Sequence, residues 1–560
     1  MTAVLNWFKN NFFVANEGTT KERKIDFKRL IIHFVAAFLV LVFIYLSYTI
    51  VKPLNYSNGT SNGGIARAYG TILILILVAI YIVLRINKKT NLEVNLFFIM
   101  AIGLVIRLTY MLYTPGHSRQ HDTWSTNHNG HYDYALYIFD NFSLPNHAFT
   151  ESNVYQFYHP PLYYYVSAIW MHIYQTIGFN AELVKDTDAL YCSVQILSTF
   201  FTFLSVWYAI KTLRLLNLNK TATYIAAIFM SFFPRLIQFS GQLNNDPLAT
   251  LFIICSVFRF FKYKIEGYRY KEILLCALYL GLAMCTKLSA VIVSLGFASY
   301  FIYEFIRTLM KKEGSNPLKT MVIQYVAFIL ICAPIGLWFQ LYSHNVYGLP
   351  FNFVFRNLNT RLFTGTRDYV LSHTYLDVNK YDLTNSGLIY TNNLYNFLAR
   401  YISPFYISDF ESGIFASASN NYNILTYALK SLIFGEFKYW GGEAFGLVAL
   451  VSSYILWFIL LVILVYLLIK KKVNTNYIFS WAITFSIIIF YLYLQYSMPY
   501  GCSMDARYIV SIFLPIGLII AQNITLLDRK NKVENVFSTI LIASSLTYAV
   551  CSFGFYIFAI

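Results

Sequence analysis

Charge is what this 560-residue sequence has least of: Asp, Glu, Lys and Arg make up 12% of it, against 58% hydrophobic residues. Mean hydropathy is +0.53. A soluble domain of this length cannot hide that much apolar surface, so the composition excludes an ordinary soluble enzyme. Paired cysteines are missing too. The seven cysteines show no paired spacing. Cys255, Cys276, Cys285, Cys332 and Cys551 fall inside or at the ends of apolar runs, as small buried thiols do; Cys192 and Cys502 lie near run ends and can be free. No stretch alternates at strand spacing, which sets a β-barrel aside. There is no internal repeat or low-complexity tract, and no cleavable signal peptide is evident. The basic start (Lys9, Lys21, Arg23, Lys24, Lys28) precedes a run too long for a signal peptide's apolar region.

What is present is a series of apolar runs long enough to cross a bilayer, which takes about 20 helical residues each. They are Leu30–Val51, Thr71–Ile86, Val94–Tyr113, Leu190–Leu213, Ala222–Phe239, Leu248–Phe261, Ile273–Met284, Leu288–Ile306, Met321–Leu341, Phe445–Ile469, Tyr477–Tyr496, Tyr508–Leu527 and Val536–Phe558. The expectation is an all-α polytopic membrane protein with about 13 transmembrane helices. The formal net charge of +16 does not call for nucleic acid, because the cations cluster between the runs. Those clusters are the N-terminus, Arg85–Lys89, Lys211–Lys220, Lys262–Lys271, Arg307–Lys319, Lys470–Lys472 and Arg529–Lys532. One orientation puts all of them in the cytoplasm: N-terminus inside, C-terminus outside, and a tight outward turn at Cys285–Thr286–Lys287.

Two large loops then lie outside the cell, Thr114 to Ala189 and Tyr342 to Ala444. The second is polar and aromatic, with Arg356, Arg361, Arg367, Asp368 and Asp377. Within the first, His159–Phe179 is apolar and rich in Tyr and Trp. It reads as a helix at the membrane interface, started by Pro160 and Pro161.

The first loop also holds the densest polar cluster, with His117, His121, Asp122, His128, His131, Asp133 and Asp140. A carboxylate beside a low-dielectric boundary can act as a general base or hold a cation, and Asp122 is the sharpest candidate. Asp133 and Asp140 flank an amphipathic pattern and read as ordinary helix acids. His117 and His121 are spaced i, i+4, and His128 and His131 i, i+3, so either pair could share a helix face with a carboxylate and bind a divalent metal. No HExxH accompanies them, and histidines that hydrogen-bond substrate or backbone are the commoner use. Asn244, Asn245 and Asp246 stand together at a membrane end, where ionisable groups are often functional and where Asp246 also suits a helix start. Lys287, Arg235 and Arg507, with Asp505, are the charges that fall on the outer side. Cations there can hold a phosphate or snorkel to headgroups.

Read in order, "QHD", "NGHYDYALYIFDNFSLP", "YQFYHPPLYYY", "LNNDPLATLF", "TKLSA" and "ARYIVSIFLP" resemble the bacterial relatives of protein O-mannosyltransferases and aminoarabinose transferases. These are polytopic glycosyltransferases of GT-C architecture, the glycosyltransferase 39-like group. The resemblance runs from about Val94 to Pro515. It implies a polyprenyl-phosphate-linked sugar donor, inversion at the anomeric carbon and a hydroxyl acceptor. It makes Asp122 and Asp246 the catalytic acids, Asp122 as proton acceptor. It gives His159, Lys287 and Arg507 to the donor phosphate, and His121, His131, Asn244 and Asn245 to substrate. No cofactor is implied, although a divalent metal can be accommodated. One departure stands out: the Asp-Glu pair of the protein mannosyltransferases appears here as His121-Asp122.

The domain organisation that follows is a cytoplasmic segment with an added transmembrane hairpin (1–92), a GT-C module (93–341) containing the first outer loop (114–189), an acceptor-recognising outer loop (342–444), and C-terminal transmembrane helices (445–560). The expected function is transfer of a sugar to a cell-envelope acceptor at the outer face of the plasma membrane, within a lipid bilayer and without nucleic acid. A flippase of lipid-linked sugars and a surface-glycan polymerase or ligase are the competing readings. A transporter would place its polar groups at mid-membrane on broken helices.

Overall fold

A computed structural model describes residues 27–55, 63–124, 130–145, 157–178, 186–310, 317–349, 424–435, 437, 439, 441–497 and 505–558. His128 and the charged residues of the second loop (Arg356, Arg361, Arg367, Asp368, Asp377) lie outside these. Among the described residues all regular structure is helical. Among the described residues ten helices are long and apolar enough to span a membrane: Ile31–Leu54, Gly64–Ile86, Leu92–Tyr113, Thr187–Leu215, Leu288–Leu309, Leu318–Tyr347, Ala444–Ile469, Thr475–Leu494, Ala506–Leu526 and Lys532–Phe558. The chain is a multi-pass, all-α membrane protein.

The other three expected spans are also helical but do not have that length and apolarity. Ala222–Phe239 is broken into α8 (Lys220–Ser231) and α9 (Pro234–Phe239). Pro234 lacks an N–H and cannot continue the ladder. Arg107, itself fully buried, donates from Nη1 to the Ser231 carbonyl at the break (2.7 Å) and to Gly103 O (2.6 Å). Leu248–Phe261 lies in α10 (Asp246–Ile265), whose ends carry Asp246, Lys262 and Lys264. Ile273–Met284 lies in α11 (Tyr270–Thr286), only 17 residues long.

The contacts divide the chain into two compact units. The first takes residues up to Ser231, then Leu236–Val291 and Phe297–Phe355. It begins with α1 (Phe27–Asn55) and α2 (Gly64–Ile86), followed by α3 (Leu92–Tyr113), whose start is capped by the Asn91 side chain accepting from Val94 N (2.9 Å). Two helices follow in the first expected loop, α4 (His131–Asn141) and α5 (Leu162–Ile177), the latter opening at Pro161 as the sequence predicts. Then come α6 (Thr187–Cys192) and α7 (Gln195–Leu215), with α8 to α11 after them. A 3-10 turn, Leu288–Val293, leads to α12 (Ser294–Leu309), and α13 (Leu318–Tyr347) closes the unit. α10 packs on α7 and α11, and α11 on α13, while α3 packs on α1, α2, α7 and α8. Large apolar side chains of α2 such as Ile72, Leu75 and Ile82 remain exposed, the surface a membrane helix offers to lipid.

The second unit takes Phe232–Arg235, Ile292–Gly296 and the chain from Arg356 onward. Its described helices are α14 (Ile424–Phe434), α15 (Glu443–Ile469), α16 (Thr475–Ser497), a 3-10 turn (Ala506–Ile512), α17 (Phe513–Leu526) and α18 (Lys532–Phe558). α15 lies along α18, and α16 along α17.

Candidate functional site

The site grows from a stretch of backbone that is buried but not helical. Between α9 and α10 the chain runs from Ser240 to Asn245 with every residue buried. Buried peptide groups must find partners, and outside a helix side chains have to supply them. Thr199 Oγ1 donates to Ser240 O (3.0 Å). Gln195 Nε2 (2.7 Å) and Gln120 Nε2 (2.8 Å) both donate to Gly241 O. Ser198 Oγ donates to Gln242 O (2.6 Å), and Tyr191 OH to Leu243 O (2.7 Å). Leu243 N in turn donates to Gln120 Oε1 (2.9 Å). Gly241 is required here, because a Cβ would stand 2.8 Å from the Tyr110 ring.

Gln120 ties this stretch to the polar segment before α4, and Thr123 adds a longer bond from Oγ1 to Leu243 O (3.4 Å). Asp122 sits between them, half-buried, with φ of 54° in the left-handed region that ordinary residues seldom adopt. Its carbonyl accepts from His131 N (2.9 Å), and the Thr123 carbonyl from Tyr132 N (3.0 Å), which pins the segment to the first turn of α4. The two chains approach so closely that a Cβ on Gly130 would lie 2.2 Å from Thr123 O. Asp133 accepts from Gly130 N (2.9 Å) and so caps α4, while Asp140 is exposed at its far end. Both are helix acids, as read from the pattern.

Of the two histidine pairs only His117 and His121 can be placed, since His128 lies outside the described residues. No helix covers 114–124, so His117 and His121 share no helix face. The glycine, serine and proline content of that stretch favours turns instead. His117 stacks on Trp124 (4.0 Å between ring centres) and lies 3.9 Å from the Asp188 carboxylate, whereas His121 is buried. His131 opens α4; its Nδ1 meets Tyr164 OH at 2.7 Å, and its ring stacks on that of half-buried His159 (5.5 Å). Burial, reinforced by neighbouring phenols and by the charge of Asp246, pushes the Tyr164 hydroxyl well above its ordinary range, so it stays protonated. Among the described residues no group of three or more His, Cys, Asp and Glu side chains is placed to hold a metal ion.

Asp246 opens α10, with Pro247 behind it, as expected of an acid at a helix start. Its N–H donates to Asn244 Oδ1 (3.1 Å), and Asn244 Nδ2 donates to Gln242 Oε1 (3.0 Å). Asn245 Nδ2 reaches Thr286 O (3.3 Å); its Oδ1 is buried with no partner among the described residues. Next to Thr286, Lys287 forms a buried ion pair with Asp246. α11 runs through Cys285 and Thr286, so of the turn expected at 285–287 only Lys287 lies outside the helix, and the 3-10 turn Leu288–Val293 follows it directly. Asp122, the Asn244–Asp246 run, Lys287, His121, His131 and His159 thus all belong to the first unit. Arg507 belongs to the second. There Asp505 Oδ1 accepts from Arg507 N (3.1 Å), Arg507 Nη2 donates to Tyr508 OH (3.0 Å), and Asp505 Oδ2 pairs with fully buried Arg235 at 2.5 Å.

Sequence reading passed over Gln120, Tyr164, Tyr191 and Gln195. A signal was available for one group: Ser193, Gln195, Ser198 and Thr199 interrupt an otherwise apolar run, which is costly in a membrane helix unless backbone elsewhere needs those donors.

The family model for dolichyl-phosphate-mannose-protein mannosyltransferase matches residues 149–346. That segment contains His159, Asn244, Asn245, Asp246 and Lys287, and leaves out His121, Asp122, His131 and Arg507. Two solved structures are similar over most of the chain. The crystal structure of ArnT from Cupriavidus metallidurans bound to undecaprenyl phosphate is 13% identical, with 82% of this chain and 76% of that one covered and a TM-score of 0.40. Its apo state is 11% identical, with 76% and 78% covered and a TM-score of 0.34. No curated protein matches by sequence. The family match supports a membrane glycosyltransferase of the GT-C, glycosyltransferase 39-like kind.

Proposed function

We propose that the protein is an inverting glycosyltransferase that moves a sugar from a polyprenyl-phosphate donor to a hydroxyl of a cell-envelope glycan or glycolipid at the outer face of the plasma membrane. The observation that carries this reading is the joining of two acid-bearing segments. Gln120 and Thr123, on either side of Asp122, are bonded to the backbone that leads into Asn244, Asn245 and Asp246, and Asp246 is paired with Lys287. The name of the matching family, a transferase from dolichyl-phosphate mannose, supports a lipid-phosphate donor.

In this mechanism the acceptor hydroxyl attacks the anomeric carbon from the face opposite the phosphate. Asp122 takes the hydroxyl proton as the new C–O bond forms. The bond from the anomeric carbon to the phosphate oxygen breaks, and polyprenyl phosphate leaves. Negative charge builds on that phosphate, so preorganised donors in a water-poor site stabilise the transition state. Lys287 and His159 supply them, with the ion pair to Asp246 aiming the Lys287 side chain. The part given to Arg507 rests on the sequence resemblance. Asn245 Oδ1 is an acceptor suited to a sugar or acceptor hydroxyl, and His131, held by Tyr164, and His121 border the same region.

The test is transfer of radiolabelled mannose from polyprenyl phosphate by the purified protein with membrane extract, wild type against Asp122→Asn. The substitution keeps the size and removes the charge. Loss of a general base lowers the rate by about 10²–10⁴-fold. Equal transfer by a folded variant would remove Asp122 from the mechanism. If wild type moves lipid-linked mannose across liposomes without transferring it, the protein is a transporter.

A further inference from the structure

Lys52 ends the first transmembrane helix, far in sequence from every residue of the proposed site, yet it is buried inside the first unit. Its ammonium donates to Met111 O (3.1 Å) and Thr114 O (3.1 Å), the two carbonyls where α3 gives way to the segment that carries Asp122. It also bonds Gln195 Oε1. Three N–H groups thus meet three neutral oxygens, with the Tyr48 ring 4.9 Å from the nitrogen. An ammonium in membrane-embedded protein is costly, so such an arrangement is retained only where it does something.

What it does can be followed through Gln195. A primary amide has one acceptor oxygen and two donor hydrogens, and near-isosteric ends that can swap. With the Lys52 ammonium fixed on one side, only the oxygen can face it. The amide nitrogen is therefore turned the other way, where it donates to Gly241 O (2.7 Å) and, more weakly, to Thr114 O (3.4 Å). Gly241 O opens the non-helical stretch that delivers Asn244, Asn245 and Asp246. One cation consequently fixes the exit of α3 directly and the 241–246 backbone at one remove.

We propose that Lys52 is a positioning residue for the transfer reaction: through Gln195 it sets the backbone bearing Asn244–Asp246 against the segment bearing Asp122. The hairpin α1–α2, which the sequence reads as an addition, is then part of the machinery. This inference rests on the transferase reading for its kinetic consequence, but not for its structural one.

Two readouts separate them. The first is hydrogen exchange of the 240–246 backbone in detergent, for wild type, Lys52→Met, Lys52→Arg, Gln195→Met and the Lys52→Met/Gln195→Met double variant. Loss of the clamp should speed exchange there by about ten-fold or more in Lys52→Met and Gln195→Met, with no further gain in the double variant, because coupled residues are non-additive. Lys52→Arg, which keeps a cation, should restore part of the protection. The second readout is transfer of radiolabelled mannose from polyprenyl phosphate. Misplacement of the acids should lower kcat by about ten-fold or more in Lys52→Met while leaving the donor KM within about three-fold. Unchanged exchange in both single variants, additive effects in the double variant, or a KM rise with kcat intact would overturn the proposal. If wild type transfers no sugar while exchange responds as stated, the transferase reading fails and the positional claim stands. If Lys52→Met does not fold, Gln195→Met must show the loosening alone, and its absence overturns the proposal.

Discussion

The Asp246–Lys287 pair offers the sharpest quantitative test, because stability and activity should respond to it in different ways. Asp246 and Lys287 are 4% and 8% exposed, so each is held almost entirely out of water. Removing one partner strands the other charge where nothing replaces its solvation. That costs about 3–5 kcal/mol, whereas replacing both by uncharged groups of like volume is often nearly neutral. Lys287→Met and Asp246→Asn should therefore each lower the unfolding temperature, by about 3–4 °C at roughly 0.8 °C per kcal/mol for a chain of 560 residues. The double variant should recover most of that loss. In the proposed mechanism transfer should not recover, because neither the cation assigned to the phosphate nor the acid has returned. The measurement is intrinsic tryptophan fluorescence on heating in detergent at one fixed scan rate, run beside the mannose-transfer assay. Additive losses in the double variant would show that the two charges are not coupled. Renewed transfer by the stable double variant would show that the pair only holds the helices together, and the catalytic role of both residues would fall.

Two further outcomes follow from close contacts elsewhere. Gly130→Ala places a methyl 2.2 Å from Thr123 O, so the Asp122–Thr123 segment must move away from α4. A shift of about 1 Å can reduce transfer by about 100-fold. Circular dichroism should show the helices intact, and transfer at the wild-type rate would refute a site that depends on this approach. Asp505→Ala leaves fully buried Arg235 without its 2.5 Å partner in the second unit, a loss of about 3–5 kcal/mol. Its yield of monodisperse protein and its unfolding temperature should drop sharply. Asp505→Ala combined with Arg235→Met should regain much of that stability, and failure to do so would mean the charge was not what the pair was neutralising.

The helices were legible because hydropathy integrates over a span. Phe445–Ile469 and Val94–Tyr113 fall within a residue or two of the helices Glu443–Ile469 and Leu92–Tyr113. The same integration hides a local break. Ala222–Phe239 averages as apolar despite Ser231, Arg235 and Gln238, yet Pro234 divides it, and a window average cannot weigh one missing N–H. The spacing of His117 and His121 misled for a related reason. An i, i+4 interval means a shared face only inside a helix, and the chain around His117 and His121 forms turns. Within the site, the acids and Lys287 were readable one by one as polar residues at membrane ends. That Asp246 and Lys287, 41 residues apart, would meet was not, because hydropathy assigns depth and says nothing about which neighbours share it.

Apart from Tyr164, which bonds the His131 side chain, the residues passed over share one property: they serve backbone, not substrate. Gln120, Tyr191, Gln195, Ser198 and Thr199 direct donors at the carbonyls of Ser240 to Leu243. A helix would have satisfied those carbonyls internally, but a helix also turns successive side chains about 100° apart. An open chain instead lets Asn244 bond Asp246, Asn245 reach Thr286, and Asp246 reach Lys287 within three consecutive residues. The cost of the opening is a set of bare peptide groups in a dry interior, and polar side chains on α7 and in the segment before α4 offset it. Polar residues that interrupt a membrane helix without facing ligand are, on this reasoning, markers of open backbone nearby. In this protein the open backbone is where the candidate chemistry sits.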